Sequence, residues 1–399
     1  MDKLTIKDID LKGKKIIIRV DFNVPQDEKL NITDDRRIRE ATPTIRYALE
    51  HGARKVILMS HLGRPDGKVV EKMRLKPAAK RLEDILKEKV LALSECVGEN
   101  VKNSIEASSE KVILLENLRF HKEETDNDSN FARQLASLAD IYVNDAFGTA
   151  HRAHASTAGI TQYLPSAAGF LLEKELTYLG KAVSNPERPF MVILGGAKVS
   201  DKIQLIENLL PKANTLVIGG GMAYTFLKAQ GKKIGKSLLE ADKVDTAKNI
   251  LQKAQKMGVH IALPKDFLIV QSFDKPQDAR ISQDIPDDWE GVDIGPQTRE
   301  EFKSILAKAK TIIWNGPVGV FEIDAFAQGT KTLAQYIAGL KGVTSIIGGG
   351  DTAASVSKFN AEEGMTHIST GGGASLEFLE GKELPGVAAL NEKKDTARI

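Results

Sequence analysis

Short apolar runs, each ending in glycine or charge, recur along the chain. The runs Lys14–Phe22, Lys55–Ser60, Lys111–Leu115 and Ile141–Val143 occupy the first half. Phe190–Leu194, Thr215–Gly221, Thr311–Trp314, Thr344–Ile347 and His367–Thr370 occupy the second. Continuous apolar runs of this length are the pattern of parallel strands covered on both faces. Helical periods lie between them. Thr42 reads as an N-cap with Pro43 in the first helical position, Ile45, Tyr47 and Leu49 inside, and Gly52 after the end. That reading leaves Arg36, Arg37 and Arg39 on a preceding loop. Further helices are predicted over about Pro77–Leu86 and Asp242–Lys256, the latter ended by Gly258. Ser200 reads as an N-cap ahead of Ile203, Ile206 and Leu210, and Thr298 with Glu301 as a capping box. Pro264–Ile281 reads as a strand and hairpin-like region, and Asp288–Pro296 as a loop.

Strand and helix alternate, so the expected class is α/β with doubly wound parallel sheets. With 399 residues the chain exceeds one core, which stops growing near ~250–300 residues, and two domains are expected. Gly169–Val183 is amphipathic, with Phe170, Leu172, Leu176 and Leu179 on one face, and Ser184–Pro189 breaks it. This is a candidate hinge at the domain boundary; an ordinary crossover helix is the alternative.

Composition narrows the function. Lys+Arg is 56 against Asp+Glu 54, too balanced for a broad nucleic-acid surface. No apolar run reaches membrane-spanning length, and the start, MDKLTIKDIDLKGKK, is too charged for a signal peptide. The single cysteine, Cys96, can make no internal disulfide, so a reducing compartment is expected. In that setting the sequons at Asn31 and Asn127 carry no weight.

The strand ends carry the chemistry. Asp21 and Asn23 follow the first strand, His61 and Arg64 the second, and Arg119 the third. His151, Arg152 and His154 follow the fourth. Parallel strands bring their carboxyl ends to one edge, where open sheets bind ligands. Singly, each arginine reads as a solvated charge. In succession they point to a small ligand bearing phosphate and carboxylate. His151 and His154 could share a helix face, but a third metal ligand is missing. In the second half, glycine turns at Gly195, Gly219, Gly348 and Gly371 each follow a strand and precede a helix. One helix end gives an anion ~0.3–1 kcal/mol, up to ~2 when partly buried. Micromolar binding needs about 8 kcal/mol. Several turns must therefore converge, with Lys198 and Lys202, to hold a nucleotide. Asp351, beside a glycine run, suits Mg²⁺ or caps a helix. Two motifs fail. Gly231–Ser237 (GKKIGKS) lacks a Walker A glycine at Gln230, and the dinucleotide fingerprint G-x-G-x-x-G is absent.

Several segments together resemble the phosphoglycerate kinase family over essentially the whole chain. They are RVDFNVP (19–25), SHLGRP (60–65), LLENLRF (114–120), NDAFGTAHRAHAS (144–156), GGAKVSDK (195–202), WNGPVGVFE (314–322), GGGDTAA (348–354) and STGGGASLEFLEG (369–381). The resemblance implies two doubly wound, Rossmann-like α/β domains joined by a hinge helix at about 170–184. Residues 1–170 with 383–399 would bind phosphoglycerate, the tail packing back onto this domain, and 171–382 would bind nucleotide. It implies phosphoryl exchange between 1,3-bisphosphoglycerate and MgADP, with Mg²⁺ and ATP/ADP. By the same resemblance Asp21, Phe22, Asn23, Arg37, His61, Leu62, Gly63, Arg64, Arg119 and Arg152 hold the phosphoglycerate. Gly195, Lys202, Gly291, Asn315, Glu322, Gly349, Gly350, Asp351 and Thr352 hold the nucleotide, with Asp351 toward the metal. Arg37, Lys198, Gly371 and Gly372 stabilise the transferring group. The expected partners are small molecules only, with neither nucleic acid nor membrane, for a cytoplasmic monomer.

Overall fold

The structure is a computed structural model that describes residues 3–394. The end of the tail, 395–399, lies outside the described residues. Residues up to Thr177 and from Glu383 on form one compact unit; Tyr178–Lys382 form the other. The helix Phe170–Ser184 runs from the first unit into the second.

The first unit is built on β1 (Lys15–Arg19), β2 (Lys55–Met59), β3 (Val90–Ala92), β4 (Val112–Leu114), β5 (Ile141–Asn144) and β6 (Ser166–Ala168). They form one parallel sheet in the order β3-β4-β2-β1-β5-β6. Ile16, Ile18, Val56, Leu58, Leu114 and Val143 lie in its core with residues of the flanking helices. The order reverses between β1 and β5. Short β3 and β6 have weak apolar patterns, and the sequence reading missed them.

The second unit contains β7 (Phe190–Leu194), β8 (Thr215–Ile218), β9 (His260–Ala262), β10 (Phe267–Val270), β11 (Arg280–Ser282), β12 (Glu290–Ile294), β13 (Thr311–Asn315), β14 (Thr344–Gly348) and β15 (His367–Ile368). Six make a parallel sheet in the order β15-β14-β13-β7-β8-β9, which reverses between β7 and β13. The other three form a small antiparallel sheet, β11-β10-β12. The stretch expected as a loop at Asp288–Pro296 thus contains a strand, whose pairing with β10 overrides its turn-rich composition.

Three helix starts differ from expectation. The first long helix runs Arg36–Glu50 with Pro43 inside it, and Thr42 donates to the Ile38 carbonyl at 2.9 Å instead of capping. Asp34 and Asp35 mark the true start: Asp34 accepts from Arg36 N–H, and Asp35 pairs with Arg39. Ser200 caps nothing; it lies in a 3-10 turn, and the amides of Val199 and Ser200 donate to Glu240. The next such helix begins at Pro296, not at Thr298. Asp266 accepts from the amides of Gln297 and Thr298 at 2.9 and 2.8 Å, while Glu301 pairs with Lys265. In the last two cases a carboxylate distant in sequence takes the place of the local cap.

Candidate active site

In the first unit, charge collects at the carboxyl edge of β1, β2, β4 and β5. Arg37 comes from the first turn of the Arg36–Glu50 helix and donates to Asp21 at 2.9 Å. Asn23 accepts from Gly63 N–H at 2.9 Å, and the Arg119 guanidinium donates to Gly63 O at 2.9 Å. Asn117 clamps the same loop by donating to Leu62 O at 2.7 Å and Met73 O at 2.9 Å. Gly63 has φ +64°, a left-handed conformation that favours glycine, and a Cβ there would press on Met73 Sδ at 2.9 Å. Phe22 and Leu62 point into the core, which leaves only their backbone for a ligand.

His61 is buried at the centre of this edge. Arg19 donates to His61 Nδ1 across 3.1 Å. A guanidinium can only donate, so Nδ1 accepts and the neutral ring carries its proton on Nε2. Burial holds the His61 pKa well below the usual histidine value, and Arg19, Arg119, Arg37 and Arg152 lower it further. All four guanidinium charges therefore act on one ring, and Arg19 touches it. Burial, then Arg19 and Arg152, push Arg119 down to about 10. It stays charged at neutral pH, and its buried Nε has no partner among the described residues. His154 is pushed to about 4 by burial and then by the same arginines. His151 and His154 lie outside any helix, so the shared helix face does not form.

Three residues behind this edge escaped the sequence reading as site components. Arg19, fully buried, donates to Ser156 Oγ at 2.8 Å, and Ser156 donates to the buried Glu124 at 2.6 Å. Burial raises the Glu124 pKa, while Arg19 and Ser156 oppose the rise. An arginine closing the apolar run KIIIR was the available signal, since a buried charge demands partners. Glu124 gave none, as it reads as an ordinary helix carboxylate.

In the second unit the site forms where β7 and β13 end, at the reversal of strand order. Gly195 lies against the turn after β13: an added Cβ would sit 2.1 Å from Pro317 O. A cavity of about 290 Å³ is lined by Gly196, Gly220, Gly221, Gly291, Glu322 and Asp351 among others. Gly291 packs so closely that a Cβ would meet Tyr224 Oη at 2.1 Å. Beside the cavity, Lys202 donates to Asn315 Oδ1, and Asn315 donates to Gly348 O at 3.0 Å. Thr352 Oγ1 accepts from Gly316 N–H at 2.7 Å. Burial lowers the Lys202 pKa, opposed by Asp201, Asp351 and Glu380. Gly349, at φ +91°, leads into the helix Gly350–Lys358, with Asp351 exposed in its first turn. The Gly371 amide donates to Ser369 Oγ at 3.1 Å, and Gly372 precedes the helix Gly373–Leu379. Lys198 and Arg64 are exposed, and no hydrogen bond or ion pair holds either side chain among the described residues.

The first unit thus offers a concentrated positive edge and the second a glycine cradle with a carboxylate at a helix start. Known proteins similar to this chain share one description. The family model described as Phosphoglycerate kinase matches residues 6–382. A phosphoglycerate kinase of Moorella thermoacetica is 57% identical over 98% of this chain and 100% of its own. One of Dictyoglomus turgidum is 57% identical over 98% of each. The solved phosphoglycerate kinase of Coxiella burnetii superposes with TM-score 0.88 at 42% identity, covering 97% of this chain and 98% of that one. That of Pyrococcus horikoshii gives 0.83 at 33% identity, covering 99% of each.

Proposed function

The chain belongs to the phosphoglycerate kinase family, and we propose how its two units divide the reaction. The enzyme is a phosphotransferase of glycolysis, acting between 1,3-bisphosphoglycerate and MgADP to give 3-phosphoglycerate and MgATP. The unit on β1–β6 takes the phosphoglycerate and the unit containing β7–β15 the nucleotide. The observation that carries this assignment is the concentration of arginines at one sheet edge, with Arg19 on His61, Arg37 on Asp21 and Arg119 on the Gly63 carbonyl. Such mutual repulsion in a buried setting is relieved by an anion with both phosphate and carboxylate. Arg37, Arg64, Arg119, Arg152, Asn23 and the His61 Nε2–H supply donors, with backbone from Phe22, Leu62 and Gly63. Asp21 orients Arg37.

On the nucleotide side, Gly195, Gly291, Gly349 and Gly350 let the ligand approach the backbone, while Lys202, Asn315, Glu322 and Thr352 frame it. Asp351 is an exposed oxygen donor lining the same cavity, which fits Mg²⁺, an ion that takes one or two carboxylates plus phosphate oxygens. When bound there, Mg²⁺ neutralises charge on the phosphates.

In the ATP-consuming direction the attacking group is a carboxylate, already ionised at neutral pH. No general base is needed. The protein's work is positioning and charge stabilisation of an in-line transfer. Arg37, Lys198 and the Gly371–Gly372 backbone stabilise the transferring group. Because the ligands belong to different units, closure about the 170–184 helix brings them into line and excludes water. The enzyme acts on these small molecules as a cytoplasmic monomer.

The test is Lys198→Ala in a coupled assay with 3-phosphoglycerate and ATP. Turnover falls on the order of 10²–10³-fold with nucleotide affinity kept, the scale of losing one transition-state donor. Near-normal turnover would remove Lys198 from the mechanism. Solution scattering tests closure: the radius of gyration falls with both ligands together and not with either alone.

A further inference from the structure

A cluster of a different kind lies in the first unit, outside the phosphoglycerate donors. Glu95 and Cys96 follow β3, and His121 follows the 3-10 turn Leu118–Phe120 after β4. One potential ligand atom from each lies within 4.8 Å of the other two. His121 Nε2 is 2.5 Å from Glu95 Oε1, and the Cys96 thiol donates to Glu116 O at 3.0 Å. Cys96 is buried, but Glu95 and His121 are 52% and 26% exposed at their side chains, so an ion can arrive from solvent.

We propose that Glu95, Cys96 and His121 bind one divalent cation of the zinc type, separately from the nucleotide's Mg²⁺. The donor set is the ground for the choice. Thiolate sulfur, imidazole nitrogen and carboxylate oxygen are the ligands of Zn²⁺, whereas Mg²⁺ takes oxygen alone. The surroundings agree. Glu95 Oε1 also accepts from the Cys96 amide at 2.7 Å, which holds that carboxylate between the cysteine and His121. Arg74 pairs with Glu116 at 2.9 Å and Arg19 acts on Glu124, so Glu95 is the carboxylate left to face a cation. On binding, the Cys96 S–H bond breaks, its proton goes to solvent and a sulfur–metal bond forms. His121 moves the proton that Nε2 donates to Glu95 onto Nδ1, which frees the Nε2 lone pair for the ion; Glu95 contributes one oxygen, and water fills the fourth position. Nothing is oxidised or reduced.

The nucleotide-free full chain is titrated with Zn²⁺ against a chromophoric chelator, and separately with Co²⁺ while near-ultraviolet absorption is followed. One equivalent binds, a proton is released, and the Co²⁺ form shows thiolate-to-cobalt charge transfer. Excess Mg²⁺ does not displace the ion. Cys96→Ser abolishes the charge-transfer band, and His121→Gln weakens binding at least about tenfold. His121→Gln changes a partly exposed side chain, so it decides the matter even if Cys96→Ser fails to fold. Absence of the band in the unmodified chain, undiminished affinity in His121→Gln, or displacement by Mg²⁺ overturns the proposal.

Discussion

On the proposed assignment, the two candidate sites use opposite means to hold an anion. The first unit gathers long charged side chains, anchored by Asp21, Ser156 and the Gly63 carbonyl. The second relies on glycines whose missing side chains let backbone meet backbone, as at Gly195 against Pro317. The contrast follows from the ligands. A small acid offers little besides its charges, so planar guanidinium forks give both affinity and orientation. A nucleotide has several phosphates and a large body, which favours close backbone approach and many weak contacts. Truncating side chains should therefore damage the first site, and adding side chains should damage the second.

The severest test of that contrast is Gly195→Ala. Its methyl must displace the Pro317 carbonyl, which costs the second unit about 3 kcal/mol or more. Chemical denaturation should show the loss, together with weakened nucleotide binding and an unaltered response of the first unit. A loss confined to ligand binding, with stability kept, would show that the turn after β13 can yield.

Arg119→Ala comes next. Losing a charged donor beside a bound anion costs ~1.5–3 kcal/mol, so the Michaelis constant for 3-phosphoglycerate rises roughly 10- to 100-fold while that for ATP does not. Equal change in both constants would break the division of labour. Lysine at this position should not restore the loss, since it cannot reproduce the fork.

Each unit also contains one buried aspartate displaced upward: Asp145 and Asp293 are both pushed up to about 7, chiefly by burial. Between about pH 4 and about pH 7 the unfolded chain ionises these groups while the folded chain keeps their protons. The folded state then binds more protons, so stability falls as pH rises across that window, by at most ~1.4 kcal/mol per pH unit for each group. Asp145→Asn and Asp293→Asn should each flatten the slope for their own unit. A slope of opposite sign in the parent chain would mean both carboxylates are ionised throughout.

The smallest expected effect is none at all. His61 stays neutral because burial and four arginines oppose its charge. Its ring resonances should hold still from about pH 8 to about pH 6, where an ordinary histidine titrates. Nitrogen shifts should place the proton on Nε2. Removing Arg19 as Arg19→Met should lift this pKa and free the tautomer.

Much was legible in the residues alone. The runs that became β1, β2, β7, β8, β13 and β14 are continuously apolar, and a strand buried on both faces has no other pattern. Their polar ends, from Asp21 and Arg64 to Gly195 and Asp351, could be read as ligand groups because parallel strands share one carboxyl edge. The edge strands β3 and β6 were invisible, being three residues each with no sustained period.

What the sequence could not hold was pairing across long separations. Asp266 caps the helix that starts at Pro296, and Glu240 holds the amides of Val199 and Ser200. Glu116 accepts from Leu75 N–H where the helix Lys76–Leu86 begins, and Asp145 accepts from Leu171 and Leu172 at the start of the helix between the units. Arg19 finds Ser156 and His61 far along the chain in the same way. Local periodicity determined the long central strands and helices and so the edge where candidate ligand groups gather, because those depend on neighbours in the chain. The tertiary structure alone decided which carboxylate completes which helix and which nitrogen of His61 carries its proton. Both depend on a buried polar group meeting a partner that no spacing in the sequence announces.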